Sequence, residues 1–118
     1  MANVLIVDDE RDLGTLVSAL LRERGHAARW VDSGAAALEA VAERRPDLVL
    51  LDLHLGSMDG MEVLRRMHPR APDLPIVMVT GHGSVPVAVE AMKHGATDFV
   101  VKPFQPSRVL EAVQRVLG

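Results

Sequence analysis

Cysteine is absent from the 118 residues. That excludes a disulfide framework, a thiolate metal site and a cysteine nucleophile. Tyrosine is absent too, and the aromatic residues reduce to Trp30, Phe99 and Phe104, 3% of the chain. So few rings cannot make a stacking platform for nucleobases. No charge of one sign dominates: 13 Lys and Arg against 16 Asp and Glu leave a net charge of −3. With a pI near 5.9, a domain that grips nucleic acid through bulk charge is excluded. Long hydrophobic runs are missing as well. Val4-Leu5-Ile6-Val7 and Leu48-Val49-Leu50-Leu51 are four residues each, whereas a spanning helix needs about 20 apolar residues. The N-terminus has no basic region followed by an apolar stretch, so no signal peptide is expected and a cytoplasmic location is the default.

What is present is ordinary globular composition, 48% hydrophobic and 25% charged, which argues against disorder. A mass of 12.8 kDa holds one core and one domain, residues 1–118. Short apolar runs alternate with helical patterns throughout. Val4–Val7 reads as a strand closed by Asp8-Asp9. Leu13, Leu16, Val17, Leu20 and Leu21 follow as the inward stripe of an amphipathic helix, which Gly25 stops. Ala27–Val31 is a weaker strand. Ser33 is placed to cap a helix running to about Arg44, with Ala37, Leu38 and Val41 inward. Leu48–Leu51 is a second strong strand, closed by Asp52. Gly56 and Asp59-Gly60 mark a loop before a short helix with Met61, Leu64 and Met67 on one face. Pro69, Pro72 and Pro75 punctuate the next connection. Ile76–Val79 is a strand ending at Thr80. Ser84 caps a helix whose expected buried stripe is Val85, Ala88, Val89 and Met92, with Val87 and Ala91 on another side, and Gly95 ends it. Phe99-Val100-Val101 precedes Lys102-Pro103. Pro106 suits the first turn of a last helix with Val109, Leu110, Val113, Val116 and Leu117 inward.

Five βα units with nearly all-apolar strands predict a parallel sheet covered by helices on both faces, a doubly wound α/β domain with right-handed crossovers. Such domains bind ligands beyond the carboxyl ends of the strands, where the strand order reverses. The strong strands end there in Asp8-Asp9, Asp52, Thr80 and Lys102. Converging carboxylates repel one another unless a cation joins them, and Mg²⁺, with its oxygen ligands, suits the set. In such a pocket Asp52 can act as a carboxylate nucleophile and form an acyl phosphate. The cation and Lys102 would neutralise phosphoryl charge, and Thr80 would hydrogen-bond a phosphoryl oxygen. There is no Gly-rich loop of the kind that cradles a nucleotide.

Val7-Asp8-Asp9-Glu10, Leu51-Asp52-Leu53 with Asp59-Gly60, Val79-Thr80-Gly81 and Lys102-Pro103-Phe104 together resemble the receiver domain of two-component response regulators, over the whole chain. The resemblance implies a flavodoxin-like (βα)5 fold with strand order 2-1-3-4-5. It implies that Asp52 is the phosphoacceptor, and that Asp8, Asp9, Asp52 and the backbone carbonyl of His54 hold Mg²⁺. It further implies that Thr80 and Lys102 bind the phosphoryl group, that Phe99 is the aromatic switch, and that the Lys102-Pro103 bond is cis. The implied donor is the phosphohistidine of a sensor histidine kinase. The chain would catalyse only its own phosphorylation and dephosphorylation. Thr80 and Phe99 would then move together and alter the surface of the fourth helix, fifth strand and fifth helix. That surface would face an output domain or partner, or a second copy in a phosphorylation-dependent homodimer, with no nucleic acid or membrane bound by this domain. The stretch from Val79 to Phe104 is most similar to receivers of nitrogen-regulation-like or dicarboxylate-transport-like transcriptional regulators, and a nitrogen-fixation-type regulator also fits. Both a free-standing regulator and the front of a longer one are compatible with the residues.

Two features depart from the family pattern. Leu55-Gly56 stands where Met-Pro is usual, which loosens that loop. His54 and His82 flank the pocket at variable positions and are expected to shape water access to the acyl phosphate. Competing readings exist. An aspartyl-phosphate phosphatase would carry a general-acid carboxylate two residues after its nucleophile, where this chain has His54. A binding-only pseudo-receiver would have lost an acid or the lysine, and none is lost. Read alone, Asp8 and Asp9 are caps of the first helix. Asp52 at the end of an apolar run has no such structural reason, since a lone buried carboxylate is costly. No histidine pair has metal-ligand spacing, so no zinc site is expected. Trp30 is expected to be partly buried without a functional role.

Overall fold

Parallel pairing of short apolar strands organises the molecule. The structure, a computed structural model, describes residues 2–55, 58–80, 85–101 and 106–118. The elements in chain order are β1 (Asn3–Val7), α1 (Arg11–Glu23), β2 (Ala27–Val31), α2 (Gly34–Glu43), β3 (Leu48–Asp52), β4 (His54–Leu55), β5 (Met58–Asp59), α3 (Gly60–Met67), a 3-10 turn at His68–Arg70, β6 (Ile76–Thr80), α4 (Val85–Lys93), β7 (Asp98–Val101) and α5 (Pro106–Leu117). The main sheet runs β2-β1-β3-β6-β7, parallel at every pairing. Counted among its own five strands, that order is the 2-1-3-4-5 implied by the resemblance. β4 and β5 form a small antiparallel hairpin, His54 opposite Asp59 and Leu55 opposite Met58, within the stretch expected to be only a loop.

Strand residues alternate between the two faces of the one sheet, each covered by its own apolar layer, which is why the runs are apolar without interruption. Leu5, Val7, Val49, Leu51, Ile76 and Met78 face a layer that includes Ala37 and Ala40 of α2, Val63, Leu64 and Met67 of α3, and Ala91 of α4. Val4, Ile6, Leu48, Leu50, Val77, Val79 and Val100 face Val17 and Leu21 of α1 and Val109, Ala112 and Val113 of α5. The helix ends follow local chemistry. The Ser33 hydroxyl oxygen accepts from Ala36 N at 3.2 Å, and Asp59 Oδ1 accepts from Met61 N at 2.9 Å, capping α2 and α3. At the close of α1, Gly25 has φ +86°, with Gly25 N donating to Arg22 O and His26 N to Leu21 O, both at 3.0 Å. That is the paired bonding of a left-handed helix stop.

Two helices turn differently from their sequence patterns. On α1 the buried residues are Gly14, Val17, Ser18 and Leu21, while Leu16 is 47% exposed. The helix packs its Gly14–Val17–Leu21 ridge, and Leu16 lies about 100° round from Val17. On α4 the expected stripe is displaced: Ala91 is fully buried and Val87 packs on the core, whereas Val89 and Met92 are each 48% exposed. A helix apolar nearly all round carries no periodic signal to choose its inner face. Here a polar row chooses it. Glu90 meets Arg65 of α3 at 3.8 Å and His94 at 3.0 Å, which keeps that row at the surface. Ser84 and the side chain of Val85 lie outside the described residues.

Candidate functional site

The acidic site grows out of the strand order. β1 is followed outward by β2 on one side and by β3 on the other, so the chain reverses direction between β1 and β3. Val7 pairs in register with Leu51. The next residue on each strand is an aspartate, and the register carries Asp8 and Asp52 to the same carboxyl edge. Both are 4% exposed.

Each is fixed by backbone donors. Asp8 N donates to Val31 O at 3.1 Å, and Asp8 Oδ1 accepts from Glu10 N at 2.8 Å. Asp52 Oδ1 accepts from His54 N at 3.3 Å. Gly60, the first residue of α3, sits directly against the Asp52 carbonyl, and a Cβ there would also lie 2.7 Å from Leu53 Cα. Gly60 N donates to Leu53 O at 2.7 Å. The Asp59-Gly60 pair is therefore more than a loop marker: Asp59 caps α3, and Gly60 lets α3 start against the backbone of the strand end.

Asp8, Asp9, Glu10 and Asp52 each place one carboxylate oxygen so that all four lie within 4.8 Å of one another. Opposite ligands on an octahedral Mg²⁺ stand about 4.2 Å apart, from bonds of 2.0–2.1 Å. A hard oxygen donor set of this span therefore fits a small divalent cation after a contraction of at most about 0.6 Å. The buried pair gives the reason it needs one, because two desolvated like charges side by side are costly. The helix-capping reading of Asp8 and Asp9 is not what the structure has. The residue at the cap of α1 is Glu10, which makes no side-chain capping bond.

The other expected site residues stand as follows. Thr80 ends β6, next in line after Val79, the register partner of Asp52, and it pairs with Val101. Phe99 is half-buried on the α2-α3-α4 side of the sheet, packed against that core. His54 is exposed at the start of β4. Lys102, Pro103 and their peptide bond, Phe104, Gly56, Gly81 and His82 lie outside the described residues. Sequence reasoning gave Glu10 no ligand role and Trp30 no role at all. Glu10 joins the acidic cluster. Trp30 Nε1 donates to the Asp8 carbonyl oxygen at 2.8 Å. Only the β1–β2 register, a non-local fact, could have signalled the second. A cavity of about 220 Å³ lies away from the acids, between the early residues of β1 and β2 and the end of α2.

The acidic cluster stands at the switch point of a doubly wound sheet, where folds of this kind bind their ligands. Residues 4–114 match the family model of the response regulator receiver domain, and the chain belongs to that family. It is 43% identical over 98% of its length to the nitrogen assimilation regulatory protein NtrX of Azorhizobium caulinodans, covering 26% of that protein. It is 38% identical over 97% of its length to the C4-dicarboxylate transport transcriptional regulatory protein DctD of Pseudomonas aeruginosa, covering 25% of it. The chain thus spans about a quarter of the length of these curated relatives. Among solved structures, the receiver domain of NtrX from Brucella abortus superposes with a TM-score of 0.91 at 40% identity, covering 97% of both chains. A CheY-like receiver domain protein from Methanospirillum hungatei superposes at 0.95 with 27% identity, over 99% of this chain and 94% of that one. The fold is the CheY-like receiver fold, and the chain is a receiver domain of the two-component kind, similar to those of transcriptional regulators. Among the described residues, no helix is long and apolar enough to cross a membrane.

Proposed function

We propose that the chain takes a phosphoryl group from the phosphohistidine of a sensor histidine kinase onto Asp52. A carboxylate oxygen of Asp52 attacks phosphorus, the new P–O bond forms, and the P–N bond to the kinase imidazole breaks. The observation that carries this reading is the gathering of four carboxylate oxygens within 4.8 Å around the end of β3. Asp8, Asp9 and Asp52, with the backbone carbonyl of His54, would hold Mg²⁺, and Glu10 stands close enough to join through its own carboxylate or a water. The cation, when bound, offsets the negative charge of the phosphoryl oxygens. The Asp8 carboxylate is already fixed by the Glu10 N–H at 2.8 Å, so the pocket needs little reorganisation. Thr80 and Lys102 would take the phosphoryl oxygens.

The consequence is a population shift. Thr80 is drawn to the phosphorylated Asp52, Phe99 turns into the vacated space, and the surface of α4, β7 and α5 changes. Val89 and Met92 of α4 and Val101 of β7, each about half exposed, would be the apolar part of that surface. It would face an output domain or partner controlling transcription, as the names of the relatives suggest, or a second copy. The kinase and this chain would meet in the cytoplasm.

The test is an intact-mass measurement after incubation with Mg²⁺ and acetyl phosphate. We expect one added phosphoryl group on the parent, none on Asp52→Asn, and none when EDTA removes the cation. A folded parent that acquires neither a phosphoryl adduct nor a beryllofluoride complex would overturn the reading.

A further inference from the structure

The acidic cluster is only as well placed as the turn that carries it, and that turn is short. Asp8, Asp9 and Glu10 are all that join β1 to α1. Asp8 is buried, but Asp9 is exposed, so packing does not place its carboxylate. The orientation of Asp9 depends on the backbone that carries it.

That backbone is gripped by β2, the edge strand. Asp8 N donates to Val31 O at 3.1 Å. On the other side of the same residue, the carbonyl oxygen accepts from the indole Nε1 of Trp30 at 2.8 Å. The carbonyl oxygen of Asp8 and the N–H of Asp9 belong to one rigid plane. A donor that fixes the oxygen therefore fixes the direction in which Asp9 leaves the turn. The ring cannot drift from this position on its other side. It lies against the first turn of α1, where a Cβ on Gly14 would stand 2.5 Å from both Trp30 Cδ1 and Nε1. Gly14 N in turn bonds to Glu10 O at 3.0 Å. The indole is thus a wedge between the end of β1, the start of α1 and the carboxylate turn. A residue that only filled the core would have no need of the donor.

We infer that Trp30 is a positioning residue for the acidic cluster: its N–H locks the Asp8–Asp9 peptide plane and holds the carboxylates of Asp8 and Asp9 at the spacing a small divalent cation takes. The inference rests on the cation site proposed above.

The experiment is a titration with Mg²⁺ alone, with no phosphoryl donor, followed through the amide NMR shifts of Asp9 and Glu10. Two variants are compared with the parent: Trp30→Phe, and Trp30 replaced by 3-benzothienylalanine, which keeps the bicyclic ring and removes only the N–H. If the cation must re-impose the turn that the N–H holds, at most the strength of that bond is lost from binding, and the Mg²⁺ dissociation constant rises about three- to tenfold in both. The cation-free unfolding midpoint of the benzothienyl variant should fall only slightly, because one hydrogen bond is lost and the packing is retained. A merely structural tryptophan would give the reverse, with parental Mg²⁺ affinity in the benzothienyl variant, and that result overturns the inference. If the parent itself takes up no Mg²⁺, the cation reading fails instead. A misfolded Trp30→Phe would leave the benzothienyl variant to decide.

Discussion

The two sides of the acidic pocket are built to different tolerances. On the side of β1, β3 and α3, the backbone itself is clamped. Asp8 is held through its N–H, its carbonyl and its carboxylate. The N-terminus of α3 rests on the Asp52 carbonyl with no room for a side chain, and Val63, Leu64 and Met67 behind it are almost fully buried. On the side of α4 and β7, Ala91 and Val100 are buried among the described residues, while Val89, Met92 and Val101 are about half exposed. Links from α4 to its neighbour include the surface pair of Glu90 with Arg65 at 3.8 Å. On the proposed switch, this is the asymmetry required. The acceptor side must not move when charge arrives, and the reporting side must move cheaply. Regions that rearrange come from the less stable end of a structure.

Truncating one side chain on each side of the pocket tests the asymmetry most directly. Leu64→Ala in α3 should cost about 3 to 4 kcal/mol, since the side chain is wholly buried and leaves a cavity behind. Met92→Ala in α4 should cost less than about 0.5 kcal/mol, as half-exposed positions do. Urea unfolding reads both. If Met92→Ala proves as costly as Leu64→Ala, α4 is as firmly held as α3 and the asymmetry is wrong.

Glycines sharpen the same point with a somewhat smaller effect. Gly60→Ala forces a methyl group onto the backbone of Asp52 and Leu53, where nothing flexible can yield. A loss of about 2 to 3 kcal/mol is expected. Gly25→Ala is the control. Its φ is +86°, and a Cβ there meets nothing within 4 Å, so only the left-handed backbone is strained, at about 1 kcal/mol. Equal costs in the two variants would mean that α3 can back away from the strand end.

These contrasts also show what the sequence could reveal. The sheet was legible because strands buried on both faces are apolar at every position, and the aspartates were legible because they interrupt those runs at Val7 and Leu51. The convergence of Asp8, Asp9 and Asp52 follows from that once neighbouring strands are assumed. The inner face of α4 was not legible, because Val87, Ala88, Val89, Ala91 and Met92 span an apolar arc wider than the buried face, and the polar strip at Glu90 and His94 does not say which part of that arc packs. Leu16 misled for a related reason. Leucine spacing suggests a broad stripe, but the packed ridge runs through Gly14 and Ser18, which no hydrophobicity pattern selects. Trp30 was missed because its partner is a main-chain carbonyl 22 residues away, reached only through the pairing of β1 with β2.

The smallest effect concerns the ionic seam between α3 and α4. Glu90 is held below the ordinary glutamate range, chiefly because the His94 side chain hydrogen-bonds to it, with the charges of His94, Lys93 and Arg65 acting in the same direction. Across the seam, Glu62 is lowered in the same way, first by its hydrogen bond from Arg66. A carboxylate lowered by folding contributes stability that is present above its unfolded value and is lost as the pH falls through the folded one. Glu90→Gln should therefore loosen α4 slightly at neutral pH, seen as faster amide exchange from Ala91 to Ala96. The difference from the parent should shrink toward zero in acid, below the ordinary glutamate range, where the parent has lost the same charge. A difference of constant size across that range would show that Glu90 acts through packing, and that α4 is held by more than its buried alanine face and this seam.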